Sequence, residues 1–505
     1  MLITAWVDVN AARDPDGIAL ALPTSAVTHA EFLESTILAA RRLRAAGVGA
    51  GDHVGILLGA EIPEYLAYAY GAARLGAVAV CLNARFRSRE LEFAVTNSGL
   101  RLLLTSEWFD SVLATTRLPA TCRVVDIVHD SGFLDGSTSV TVDEVYEQTE
   151  RVSGSDAVRV VYTSGTTSMP KACLHTHDAL VAQGEAVATV LALTGTDRFW
   201  APLPMFHTGG WTPFLAAQSR GAALHHCVRF EAPSALRQIV DDRCTVLFPG
   251  FETIWMEVLD QPGFSADLVS AARLVIIVGV PERLRVMQNR HPDVPQISNT
   301  GSTECGGFLC MGEVSDPFET RMTTAGRLLE GMEARIVDPE SGLDRPVGVV
   351  GELLVRGPAL FREYFGDPQA TAEAIDHSGW FHTGDLLARD ADDRFVFVGR
   401  VKDMLKVGGE NVAAAEIEDH LLTHPAVYLA AVVSAPDTKY VEVPAAFVQL
   451  KPGMSATESE IVAHCSGVIA SYKVPRYVRF IDEWPMSGTK IRKVELRERI
   501  ARELA

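Results

Sequence analysis

The segment from Val54 to Asn83, VGILLGAEIPEYLAYAYGAARLGAVAVCLN, reads as an apolar run, then apolar positions at helical spacing, then a second apolar run beginning near Ala77. Continuous apolar runs of strand length are the mark of strands buried on both faces, and a helix between two of them places them side by side and parallel. The chain is thereby committed to an α/β arrangement. Further runs at 102 to 104, 123 to 128, 158 to 162, 245 to 248 and 273 to 278, several separated by helical stretches, extend the same pattern.

After about residue 320 the pattern changes. GMEARIVDPESG and RPVGVVGELLVRG alternate apolar and polar residues between Gly and Pro, which predicts a smaller antiparallel subdomain. The last hundred residues alternate helix and strand again, in AAAEIEDHLLTH, YLAAVVSAP, AAFVQL and YVRFI. The expected fold is a large N-terminal lobe over residues 1–400, of mostly parallel sheets with helices plus the antiparallel subdomain, and a small α+β domain over 401–505. A chain of 505 residues is long enough for such a division.

Charge narrows the partners. Lys and Arg number 45 against 64 Asp and Glu, a formal charge of −19 that repels a nucleic-acid backbone over most of the surface. The eight cysteines are scattered and include no Cys-x-x-Cys pair, so neither a disulfide framework nor a zinc site is expected. The opening residues lack a basic region followed by an apolar run, and Glu61, Glu64 and Arg74 interrupt the most apolar stretch. A cytoplasmic protein with no membrane insertion is the expectation.

The run Tyr162-Thr-Ser-Gly-Thr-Thr-Ser-Met-Pro-Lys171 follows the apparent strand at 158 to 161. Its backbone N–H groups, hydroxyls and one cation suit a polyphosphate, although the composition alone equally describes a Ser/Thr-rich turn. It is not a Walker loop, since the chain has no Gly-Lys pair. In order there follow Pro204-Met205-Phe206-His207-Thr208-Gly209-Gly210, Gly301-Ser302-Thr303-Glu304, Gly379 to Leu386 (GWFHTGDL), Gly399-Arg400-Val401-Lys402-Asp403 with Lys406 to Asn411 (KVGGEN), and Ser487 to Ile491 (SGTKI).

These six elements together resemble the adenylate-forming superfamily, in its acyl-CoA synthetase branch. The resemblance implies ATP, Mg2+ and coenzyme A, and a carboxylic acid as substrate. It implies that Thr163, Ser164, Gly165, Thr166, Thr167 and Lys171 cradle the phosphates, with Gly279, Thr300, Gly301 and Ser302 along the nucleotide. Thr303 meets the α-phosphate, and Glu304 serves the metal, as its hard oxygens allow. Asp385 takes the ribose hydroxyls with Arg400 beside it. Lys490 neutralises the charge that develops as the carboxylate attacks the α-phosphate, a role that Lys493 could contest because the turn is one residue short. Lys402 is the pivot of a mobile C-terminal domain, Gly408 and Gly409 approach the coenzyme A arm, Lys406 counts among the cofactor-binding residues, and His207 gates the thiol's route. Read without the family, Glu304, Arg400 and Lys490 would be solvated surface charges and His207 a core histidine.

Several positions depart from the family's pattern. Ser168 and Ala172 stand where glycines are usual, Thr300 replaces an aromatic residue that packs on adenine, and Val278-Gly279-Val280-Pro281 replaces Gly-Gly-Ala-Pro. The leading expectation is an acyl-CoA synthetase acting on an apolar acid, since Trp211, Phe214, Phe251 and Trp255 fall near the family's acid pocket, though as aromatics they suit a core equally well. One alternative is a thiolation-only enzyme fed by a separate adenylating enzyme. Another is an adenylation domain loading a separate carrier protein. A serine hydrolase is disfavoured by the lack of a Gly-x-Ser-x-Gly elbow. Oligomeric state stays open, a homodimer included.

Overall fold

The structure, a computed structural model, describes residues 1–505 apart from 164–168, 408–409, 438–439, 488–489 and 505, and leaves the side chains of 406, 410–411, 441, 487 and 490 undescribed. It divides into two compact units, one of residues 1–279, 284–333 and 356–379, the other of 280–283, 334–355 and 380–505.

The first unit holds two seven-stranded sheets. One runs Glu363–Tyr364, Lys171–Thr176, Ala157–Thr163, Val78–Cys81, His53–Leu57, Leu102–Thr105, Arg123–Asp126. Its last five strands are parallel, and the apolar runs of all but the edge strand Arg123–Asp126 are buried on both faces as the sequence pattern requires. The crossover helix Ile62–Arg74 starts with proline in its first turn, where a missing N–H costs nothing, and is buried nearly all round. At its end Arg74 is wholly buried and satisfied, donating to Asp8 at 2.8 and 3.3 Å and to Thr36 Oγ1 at 3.1 Å.

The second sheet runs Gln296–Ile297, Leu274–Val278, Val246–Phe251, Arg198–Trp200, Ala223–His225, Ile18–Leu22, Ser25–Thr28, parallel except for the final pair. Its core packs Trp200, Trp255, Leu247 and Ile277 against neighbouring helices. Every run read as a strand from the sequence is one.

The second unit contains, apart from the end residues Glu333 and Arg356, the sheet of Glu333–Val337, Gly351–Arg356, Phe381–Arg389 and Phe395–Arg400, whose last three strands are antiparallel. It also contains a five-stranded sheet built around the long pair Val427–Asp437 and Val441–Leu450, with the helices Ala414–Leu422, Glu458–Cys465 and Lys493–Leu504. Phe447, Val433, Ile417, Ile461 and Ile500 share its core. Among the described residues no helix is long and apolar enough to cross a membrane.

Candidate active site

The strand Ala157–Thr163 does not lead into a helix. It pairs antiparallel with the strand Lys171–Thr176, with Thr163 directly opposite Lys171 at the neck of this hairpin. Ser164, Gly165, Thr166, Thr167 and Ser168 lie outside the described residues. Ala172 is buried inside the regular strand, opposite Tyr162.

Beside the neck stands a group that the sequence reading missed. The Tyr364 hydroxyl donates to Glu304 Oε1 at 2.8 Å, and the Tyr364 ring lies 4.4 Å from the Lys171 ammonium. Burial, reinforced by the Glu304 charge, pushes the phenol well above its ordinary pKa, so it stays a donor. One ring thus holds both the carboxylate expected to serve a metal and the cation expected to serve a phosphate. A second tie comes from His175, wholly buried, whose Nε2 donates to the Thr303 carbonyl at 2.9 Å. Burial first, and Arg159 second, hold this imidazole far below its ordinary pKa and hence neutral.

Thr303 and Glu304 ride on a turn that only glycine can make. A side chain at Gly301 would sit 2.0 Å from the Gly307 carbonyl oxygen, while Gly306 and Gly307 have φ of +75° and +136°. Thr212 Oγ1 donates to the Gly306 carbonyl and fixes the turn from behind. Thr300 ends a short strand just before it, and its carbonyl accepts from Leu309 N. At Gly279, past the strand Leu274–Val278, an added Cβ would meet Glu252 Oε2 at 2.8 Å.

His207 precedes the helix Thr208–Arg220, half-buried, with its ring edge-on to Phe206 at 4.6 Å. Its carbonyl accepts from Gly210 and Trp211 N. Trp211, Phe214 and Trp255 are wholly buried: Trp211 stacks on Tyr70, Phe214 meets Phe32, and the Trp255 indole donates to His291. Of the four aromatics read from sequence, Phe251 alone is partly exposed.

In the second unit Asp385 and Arg400 are cross-strand partners, and Arg400 Nε donates to Asp385 Oδ1 at 2.7 Å. The acid is nearly buried and the arginine half-exposed. Glu352, unremarked in the sequence, braces the turn before Asp385 by accepting from Gly384 N at 3.2 Å and lying 3.3 Å from His382 Nδ1. Lys402 is exposed in a short 3-10 turn. Its neighbour Asp403 faces Lys493 at 3.8 Å and Arg497 at 3.9 Å, and Lys493 also pairs with Glu418 at 2.7 Å. The rival lysine is thus engaged by two carboxylates. Lys490 pairs through its backbone with Ser487 and Lys406 with Asn411; their side chains, and Gly408 and Gly409 entirely, lie outside the described residues.

The family model described as AMP-binding enzyme matches residues 7–365, and that of the AMP-binding enzyme C-terminal domain matches 416–490. The chain is 33% identical to the putative acyl-CoA synthetase YngI of Bacillus subtilis, over 96% of this chain and 94% of that protein. It is 30% identical to the mitochondrial medium-chain acyl-CoA ligase ACSF2 of Bos taurus, over 99% and 87%. The crystal structure of the anthranilate CoA ligase AuaEII in complex with anthranoyl-AMP superposes with a TM-score of 0.89 at 26% identity, covering 100% of this chain and 98% of that one.

Proposed function

The chain belongs to the AMP-binding enzyme family and is an acyl-CoA synthetase; on that footing we propose that it activates an apolar carboxylic acid as its acyl-adenylate and passes the acyl group to coenzyme A. In the first half-reaction an acid oxygen attacks the α-phosphorus of ATP and pyrophosphate leaves. In the second the coenzyme A sulfur attacks the acyl carbon and AMP leaves.

The observation that carries this reading is the joint support of Glu304 and Lys171 by Tyr364 beside the hairpin neck. Among the described residues no cluster of three or more His, Cys, Asp or Glu suits a metal. A single braced carboxylate fits Mg2+, which keeps waters and takes phosphate oxygens for the rest of its shell. Bound there, the ion would neutralise phosphate charge. Thr163 and Lys171 hold the phosphates, with Thr303 at the α-phosphate. Asp385 accepts from the ribose hydroxyls with Arg400 beside it, and Lys490 supplies the mobile cation of the first step. The domain from 401 to 505 turns about Lys402 between the half-reactions, and His207 admits the thiol.

A thiolation-only enzyme is the second reading, favoured by Thr300, which offers no ring to adenine, and by the exposed Val278 at the end of its strand. One experiment separates the two. Purified protein is incubated with coenzyme A and a panel of acids, with ATP in one arm and synthetic acyl-adenylates in the other, and thioesters are detected by mass. Thioester in both arms is expected. Thioester from the adenylates alone would establish the second reading, and none in either arm would overturn both.

A further inference from the structure

Arg159 sits in the middle of the strand Ala157–Thr163, wholly buried, and none of its Nε, Nη1 and Nη2 has a hydrogen-bond partner among the described residues. A guanidinium carries five donors and keeps its charge, so an empty shell around it is among the least favourable arrangements a protein interior can hold. Burial lowers its pKa only to about 10, which leaves it protonated at neutral pH.

The surroundings add donors and no counter-charge. Arg159 stands between Ala79 on one neighbouring strand and His175 on the other. By strand alternation Cys81 and Cys173 share that face, so the neighbours are small. The Arg159 guanidinium carbon lies 5.1 Å from the centre of the Trp211 ring, on which Tyr70 stacks. The Tyr70 hydroxyl is likewise buried without a hydrogen-bond partner among the described residues, and the Tyr65 hydroxyl lies against the Trp211 indole and the Cys81 thiol. Both phenols and both thiols are pushed up in pKa by burial, and His175 is held neutral, so none of these five groups is an anion.

We propose that Arg159, Tyr65, Tyr70 and Trp211 form an internal binding site for a small anion of the halide or carboxylate class. A buried cation bordered by two phenol hydroxyls and an indole, with no counter-charge among them, is the inverse of such a ligand. The site adjoins the catalytic turn: His175, opposite Arg159, holds the Thr303 carbonyl, and Thr212, next to Trp211, holds Gly306. The anion is either free or, resting on the proposed ligase reading, the far carboxylate of an acid that is apolar between its two carboxylates, and the two sources share this chemistry.

The test uses the full-length protein, its Arg159→Met and Tyr70→Phe variants, and bromide as probe. Thermal unfolding is followed in bromide and in gluconate at equal ionic strength, and crystals grown in bromide are examined for anomalous scattering. A parallel arm compares thioester formation from mono- and dicarboxylic acids of equal length. A bromide peak at Arg159, with a bromide-dependent rise in melting temperature of several degrees that both variants lose, establishes a free anion. A preference of tenfold or more for the dicarboxylic acids, abolished in Arg159→Met and without a bromide peak, assigns the site to the substrate. Should Arg159→Met fail to fold, Tyr70→Phe carries both comparisons. No peak, no anion-dependent melting and no dicarboxylate preference in the unaltered protein would overturn the site. Because melting and scattering need no turnover, a failed ligase assay leaves this result separate.

Discussion

The Tyr364 hydroxyl donates a 2.8 Å hydrogen bond to Glu304, and it does so from a ring whose face carries Lys171. Removing the hydroxyl leaves the ring and its cation in place, so Tyr364→Phe isolates the bond. A hydrogen bond to a charged group contributes about 1.5–3 kcal/mol, so pyrophosphate release should fall about tenfold or more and need more Mg2+ for half-saturation. Thioester formation from a supplied adenylate should be unchanged; a fall in both steps together would count against this placement.

Asp385→Asn keeps the shape of the side chain and removes the charge that Arg400 pairs with. If Asp385 holds the ribose, the KM for ATP should rise roughly ten- to hundredfold in pyrophosphate release assays. An unchanged KM would leave the pair as a surface brace.

Lys490→Ala should suppress adenylation far more than thiolation, measured with ATP and with synthetic adenylate separately. Lys493→Ala is the paired control. Its ammonium is held by Glu418 and faces Asp403, and its loss should cost stability of about 1 kcal/mol while sparing adenylation. Equal loss of both half-reactions in Lys490→Ala, or a larger adenylation defect in Lys493→Ala, would move the role.

Two buried histidines set an acid limit. Burial lowers the pKa of His226 and of His177 to about 4, against an ordinary 6.5. The unfolded chain therefore binds protons first as pH falls, and stability present above pH 6.5 is lost progressively down to about 4, by as much as roughly 3 kcal/mol for each histidine. His226 Nε2 donates to the Leu203 carbonyl and its Nδ1 accepts from Val228 N, a pattern an amide can copy. His226→Gln should flatten the decline in melting temperature between pH 6.5 and 4, and an unaltered slope would refute the assignment.

The parallel strands were legible because burial on both faces leaves a continuous apolar run, and the strand from His53 to Leu57 has almost no other reading. The hairpin was not. Lys171-Ala-Cys-Leu-His-Thr176 is buried in its middle yet carries no alternation, so its antiparallel return is fixed by sheet neighbours. Tyr364 and Glu304 are 60 residues apart and His175 and Thr303 are 128, separations at which spacing carries no information. Arg159 did leave a trace, a lone charge inside an apolar run, which reading that run as a strand absorbed. The aromatics after Gly209 were ambiguous because a pocket wall and a core select the same residue types, and Trp211, Phe214 and Trp255 went to the core.

The Gly307 carbonyl oxygen, 2.0 Å from where a Cβ on Gly301 would stand, has a consequence for anyone redesigning the acid preference of this chain. Libraries that randomise the turn as a block will be dominated by inactive members, because two of its positions admit no side chain whatever the acid. Diversity belongs instead at positions such as Phe251, which is partly exposed and needs no glycine backbone.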